Sequence, residues 1–212
     1  MSEVKTTRRY DASRRREQAT RTREAILDVA RRQFLEQGYA ATTVSRIAAE
    51  ASTSVETVYK AFGGKSGVVR ALWERSLAGR GPVPAPIRSD ALSASESNPV
   101  RVLRGWGQLT TELAPEGAPV ILLIRAAATA DSDMATLLAE AEAQRRTRMR
   151  HNARRLQRRG WLRPGITLAH ATDILWTYSS AEIYELIVIK SGWPIERYGA
   201  FVSDAMIAAL LP

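Results

Sequence analysis

The 212 residues include no cysteine, which excludes disulfides, thiolate zinc sites and thiol nucleophiles. Histidine occurs only at His151 and His170, too far apart in the chain to suggest a metal-binding pair, and no metal or cofactor is expected. No apolar run approaches the roughly eighteen residues that a membrane helix needs, so no membrane partner is expected. Residues 1–16 are charged and polar, without the apolar core of a signal peptide, and the expected location is cytoplasmic. Catalytic signatures are missing as well: there is no Gly-x-Ser-x-Gly elbow and no His-Glu-x-x-His. "GGKS" at 63–66 has neither the upstream glycine nor the preceding strand of a phosphate loop. The chain does not read as an enzyme.

What is present is a hydrophobic fraction of 45%, enough for a core, and an uneven positive charge. The formal net charge is +9, and residues 1–80 carry +7 of it, with 16 Lys/Arg against 9 Asp/Glu. A basic N-terminal part joined to a nearly neutral remainder points to a polyanion as partner of the first part.

Apolar spacing of three and four recurs along the chain, and no alternating strand pattern is convincing, so the fold class is all-α. Residues 1–19 read as a basic flexible arm. Ile26, Val29, Ala30 and Phe34 then mark a helix ending near Gly38. A short helix carries Val44, Ile47 and Ala48, a tight turn follows at 51–53, and Ser54 caps a third helix stopped by Gly63-Gly64. Residues 79–99, rich in Pro, Ser and Gly, read as a linker. Beyond it, helices are expected at 102–113, 120–130, 133–159, 167–189 and 194–211.

Two short helices across a tight turn form a helix-turn-helix, whose second helix fits a major groove roughly 12 Å wide. Its outward positions are Ser54, Val55, Glu56, Tyr59 and Lys60. The stretch "ATTVSRIAAEASTSVETVYKAFGGKSGVV" resembles the DNA-binding domain of TetR-family transcriptional regulators, through Thr42, Thr43, Val44, Ile47, Ala48, Ser54, Thr57, Tyr59, Phe62 and Lys65. The resemblance implies that Thr43, Tyr59, Lys60 and Lys65 hold phosphates of double-stranded DNA, with Tyr59 and Lys60 also near bases. Three positions depart from the family's habit. Ser52 stands at a turn position usually glycine, Arg46 replaces a common acidic residue, and Glu56 stands where many members have glycine.

The implied architecture is an N-terminal three-helix DNA-binding domain at 20–66 and a C-terminal helical ligand-binding and dimerisation domain at 67–212. The implied function is a homodimeric repressor released from a palindromic operator by a small-molecule effector. A ligand-independent architectural DNA-binding protein is the alternative. The helix at 167–189 is apolar on two sides, through Leu168, Leu175, Ile183 and Leu186 and through Ile174, Tyr178, Ala181 and Val188, as a helix with two partners would be. Ile195, Tyr198, Val202, Ala205 and Ala209 are spaced for a packing seam. Candidate ligand contacts are Trp106, Leu109, Arg125, Met134, Leu138, Trp176 and Tyr178. A buried Arg125 must find a partner, with Asp173, a ligand anion or solvent as the options. The eight arginines of 144–160 read either as a solvated face or as a strip for an acidic ligand or partner.

Overall fold

The computed structural model describes residues 4–79 and 81–212, and among them every regular element is helical. The chain forms two compact units, residues 1–72 and 73–212. The first contains α1 (Val4–Ala41), α2 (Val44–Glu50) and α3 (Val55–Phe62), and the division falls within α4 (Lys65–Ala78). The second contains α5 (Ala85–Ser95), α6 (Pro99–Ala127), α7 (Ser132–Arg158), α8 (Leu168–Tyr178) and α9 (Ala181–Tyr184), then a π-helical turn (Glu185–Lys190) and α10 (Ile195–Leu210).

Four expectations about the helices are corrected. Residues 4–19, read as a flexible arm, continue α1; residues 1–3 lie outside the described residues. No Gly or Pro interrupts the chain before Gly38, and arginine is a good helix former, so a helix nucleated by packing at Ile26 and Phe34 propagates backwards. A hydrogen bond from Ser13 Oγ to Glu17 (3.1 Å) lies on that extension. The supposed linker contains α5, whose prolines sit at its start, where a missing N–H costs nothing. Its inward stripe, Ala85, Ser89 and Ser93, is too small and polar to register as apolar periodicity. The helices expected at 102–113 and 120–130 are one, α6, which carries Pro115 and Pro119 internally. Conversely, the helix expected at 167–189 is interrupted at Ser179, and Ser180 caps α9 by accepting from the Ile183 amide.

The arginines of α7 are neither simply solvated nor left facing a partner; several fasten α7 to its neighbours. Arg148 donates to Asp90 (2.9 Å) and to the Pro86 carbonyl (3.1 Å), Arg155 to the Asp90 carbonyl (3.1 Å), and Arg159 to the Ala94 carbonyl (2.9 Å). All these acceptors lie on α5. Burial opposes ionisation of the Asp90 carboxyl, but the Arg148 hydrogen bond and the nearby charges outweigh it and hold the group below the usual carboxylate range. Arg146 takes Asp173 (2.7 Å), so Asp173 is not the partner of Arg125. Tyr198 and Val202 are buried, and the seam they form packs α10 against α6 within the chain.

In the first unit, α1 packs over α2 through Ile26, Phe34, Val44 and Ile47. Gln33, 4% exposed, donates to Glu50, and Arg32 pairs with the same carboxylate; these two bonds hold the Glu50 carboxyl below its ordinary range. Between α2 and α3, Ser52 adopts φ 51°, a left-handed conformation that strains a residue with a Cβ. Replacing Ser52 by Gly should therefore stabilise the protein by about 0.5–1 kcal/mol, since relief of strain exceeds the added freedom of the unfolded chain. Urea unfolding checks this, and a lowered midpoint would contradict it.

Candidate nucleic-acid interface and ligand cavity

Each helix of the helix-turn-helix starts on a side-chain cap. Thr43 Oγ1 accepts from the Arg46 amide (3.2 Å), and Ser54 Oγ accepts from the Thr57 amide (3.1 Å). Val58 is wholly buried and keys α3 inward. With that register, Ser54, Glu56, Tyr59 and Lys60 are exposed, Tyr59 at 53%, while Val55 and Thr57 are partly covered. Thr57 Oγ1 lies 3.0 Å from Ser54 Oγ, so its hydroxyl already belongs to the cap. Thr43 and Arg46 are exposed at the start of α2. The Glu56 amide and the Ser54 hydroxyl hold the Glu56 carboxyl below its ordinary range, so α3 presents a fixed negative charge beside Lys60.

The end of α3 is built for a close turn. Gly63 takes φ 79° and its amide donates to the Tyr59 carbonyl (2.7 Å). A Cβ on Gly67 would stand 1.7 Å from the Phe62 carbonyl oxygen, so only glycine lets the first turn of α4 approach there. Arg23 lies over the Phe62 ring (4.3 Å) and donates to the Ala61 carbonyl (3.2 Å), tying the same end to α1. Lys65 differs from the other sequence candidates. Its ammonium donates to the Tyr39 carbonyl (2.7 Å) and the Thr42 carbonyl (3.0 Å) and lies 4.0 Å from the centre of the Tyr39 ring. That geometry gives Lys65 a structural task within the unit.

The second unit contains a cavity of about 560 Å³ that is partly open to solvent. Of the sequence candidates, Trp106, Leu109 and Arg125 line it. Met134 is fully buried elsewhere, and Leu138 is not on the wall. Trp176 lies under Arg145 (4.8 Å) and Arg146 (5.2 Å), and Tyr178 meets Phe201 edge-on (6.5 Å). Arg125 pairs with Glu142 (2.9 Å) and Glu182. Burial alone would weaken its charge, but the two carboxylates outweigh that and raise its pKa.

Sequence reasoning missed Trp73, Ser76 and Asn152 on the cavity wall. Asn152 carried a usable signal. It lies on the inward stripe Met149, Asn152, Ala153, Leu156, where a polar residue is out of place. Trp73 gave none, because nothing in the sequence told a wall position of α4 from ordinary core.

Comparison with known proteins places these features. The family model described as "Bacterial regulatory proteins, tetR family" matches residues 26–72. Among solved structures, the SmeT–triclosan complex is similar at 24% identity and TM-score 0.69, covering 90% of this chain and 92% of that one. SmeT is also described as the repressor of the Stenotrophomonas maltophilia multidrug efflux pump SmeDEF. The fatty acid degradation regulator FadR from Bacillus halodurans is similar at 16% identity and TM-score 0.72, covering 88% and 94%. A transcriptional regulator from Saccharomonospora viridis in complex with choline is similar at 18% identity and TM-score 0.67, covering 90% and 97%. No curated protein matches. At these identities the solved structures show a shared fold, and it is residues 26–72 that match the tetR family of bacterial regulatory proteins.

Proposed function

We propose that the protein is a homodimeric repressor that leaves a palindromic operator when a small molecule enters the second unit. The observation that carries this reading is the cavity of about 560 Å³ in a chain whose other unit is a tetR-family DNA-binding domain. An architectural DNA binder would need only a solid core, so the cavity favours the ligand-responsive reading. The fold is known to hold ligands in neighbours: SmeT was solved with triclosan, and the Saccharomonospora viridis regulator with choline.

On this reading α3 enters the major groove. Tyr59 and Lys60 reach phosphates and base edges, Thr43 binds a phosphate at the start of α2, and Arg46 adds positive charge beside it. Val55 and Thr57 shape the groove-facing surface, and Glu56 either accepts from a cytosine amino group or repels the backbone. Dimerisation would use the exposed apolar side chains of the π-helical turn, Leu186 at 56% and Ile189 at 55% exposure. Two reading helices related by a two-fold axis would then sit one DNA turn apart, roughly 34–36 Å, or a multiple of it.

Footprinting on DNA upstream of its own gene, with and without candidate ligands, tests the whole reading. A protected palindrome that a ligand exposes supports it, and the absence of any footprint sinks it. Tyr59→Ala should weaken operator binding about tenfold with unchanged thermal stability, because that ring is exposed. Lys65→Ala should do the reverse first, lowering the unfolding temperature by several degrees, as expected when two carbonyls lose a charged donor. Equal unfolding temperatures for Lys65→Ala and wild type would contradict that division of labour.

DNA affinity should fall steeply between about 50 and 200 mM salt, and Lys60→Ala should reduce the salt slope by about 1 per subunit. Glu56→Gln should raise affinity for unrelated DNA by removing a fixed negative charge from α3. Filter binding across a salt series reads both. Leu186→Asp with Ile189→Asp should shift sedimentation towards monomer, and an unchanged dimer would move the interface elsewhere.

A further inference from the structure

The ionic groups on the cavity wall are already engaged by the protein. Arg125 is paired with Glu142 and Glu182. Arg148 is held by Asp90 and the Pro86 carbonyl. Arg145 donates to the Trp176 carbonyl and to Ser179 Oγ (3.2 Å) and lies over the Trp176 ring; burial lowers its pKa against the support of Glu182 and Glu142. Tyr198 is 1% exposed, and burial pushes its phenol far above the ordinary range, so it stays neutral. An ion entering here would have to give up its hydration and break one of these arrangements.

Three residues of the same wall each carry one polar atom that is different. The indole N–H groups of Trp73 and Trp106 and the Oδ1 of Asn152 are buried without a hydrogen-bond partner, in side chains 7%, 6% and 5% exposed. Two hydroxyls of the wall are directed elsewhere, Ser76 donating to the Trp73 carbonyl (2.7 Å) and Thr110 to the Trp106 carbonyl (2.9 Å). Of the other buried polar atoms without partners, Trp176 Nε1 and Gln33 Oε1, neither residue lines the cavity. An indole N–H only donates and a carboxamide oxygen only accepts, so the complement of this set is fixed by chemistry. Much of the remaining wall is apolar or aromatic, Leu109, Leu113, Ile121 and Tyr184 among it.

Building on the ligand-responsive reading, we propose that the cavity binds an uncharged, largely apolar polycyclic molecule that offers hydrogen-bond acceptors to Trp73 and Trp106 and a donor to Asn152. The volume suits a drug-sized molecule of this kind. Discrimination against an apolar analogue follows because such a molecule leaves all three atoms unmatched.

Three compounds built on one ring system test this on the full-length protein. Aminoanthraquinone has two carbonyl acceptors and an amine donor, anthracene has neither, and anthraquinone sulfonate keeps the acceptors but adds a negative charge. Tryptophan emission should be quenched by aminoanthraquinone with a Kd about tenfold or more below that of either other compound. Asn152→Leu keeps the side-chain size and removes the acceptor; Trp106→Phe keeps an aromatic ring and removes the N–H. In each, the preference for aminoanthraquinone over anthracene should fall about fivefold. Taking the ratio within each variant prevents a loss of stability from imitating the effect. Equal binding of anthracene, tighter binding of the sulfonate, no binding of aminoanthraquinone, or unchanged ratios in both variants would each overturn the assignment. Footprinting in the same samples separates the two readings. DNA protection without probe binding removes the ligand class and leaves the regulator, whereas probe binding without DNA protection does the opposite.

Discussion

The Lys65 ammonium is the point on which the geometry of the reading head depends. A helix end leaves carbonyls without intrahelical donors, and Gly38 departs from helical geometry (φ 80°, ψ 168°) just before α1 runs out. Lys65 comes from the first residue of α4 and donates to the Tyr39 and Thr42 carbonyls, on either side of the last residues of α1. Thr42, fully buried, closes the same corner by donating to the Gly38 carbonyl (2.9 Å) and the Gln33 carbonyl (3.2 Å). The chain therefore enters α2 and leaves α3 at positions fixed by one charged group and one hydroxyl. The segments on either side of α2 and α3 are thus both anchored. A cation committed to two carbonyls and an aromatic face is poorly placed to serve a phosphate at the same time.

The second unit solves a different problem, that of holding a wall around empty space. An apolar core gains stability from close packing, which a cavity forfeits. Here α5 supplies part of the wall through Ala85, Pro86 and Ser89, yet its inward residues are too small to anchor it by burial. Charge does the anchoring. Asp90 takes Arg148 and Arg155, His151 lies 3.1 Å from the same carboxylate, and Arg88 is bound to Glu112 of α6 through both terminal guanidinium nitrogens (2.6 and 2.9 Å). These pairs are partly exposed, so each contributes modestly, and their value lies in geometry. The arginine-rich stretch of α7 thus fastens α5 across the cavity's side.

How much of this could be read from the residues follows from the range of the forces involved. The helix-turn-helix was legible because its determinants are local: a threonine cap at 42 or 43, which the structure assigns to Thr43, a cap at Ser54, an inward Val58 and a glycine stop all fall within about twenty residues. Even the strain at Ser52 was visible as a residue out of place. The body of the second unit was less so. Helix α5 hides behind prolines and serines, α6 runs through two prolines that end most helices, and the break at Ser179 falls inside a continuous apolar pattern. Each reflects tertiary packing overriding local preference. The cavity was the least legible feature. A residue that faces a space and one that faces a neighbour carry the same hydrophobic signature, so Trp106 and Met134 look alike in sequence although only Trp106 lines the cavity.

A bound molecule can shift an equilibrium only by the difference between its affinities for the two states. Filling apolar space stabilises whichever state has the space, but says little about which state is chosen. Directed hydrogen bonds do more, since a donor that turns away by a few tenths of an ångström and some tens of degrees loses most of its bond. Trp73 is on α4, the helix whose first residue is Lys65, while Trp106 and Asn152 are on α6 and α7. A ligand bonded to all three would fix the distance from α4 to the other two helices, and an apolar ligand of equal volume would not. The coupling required of a regulator, roughly 1–3 kcal/mol, is the size of one or two such bonds made in one state and lost in the other. On the proposed reading, the unpartnered atoms of Trp73, Trp106 and Asn152 therefore supply the discrimination between states, and the remaining wall supplies affinity.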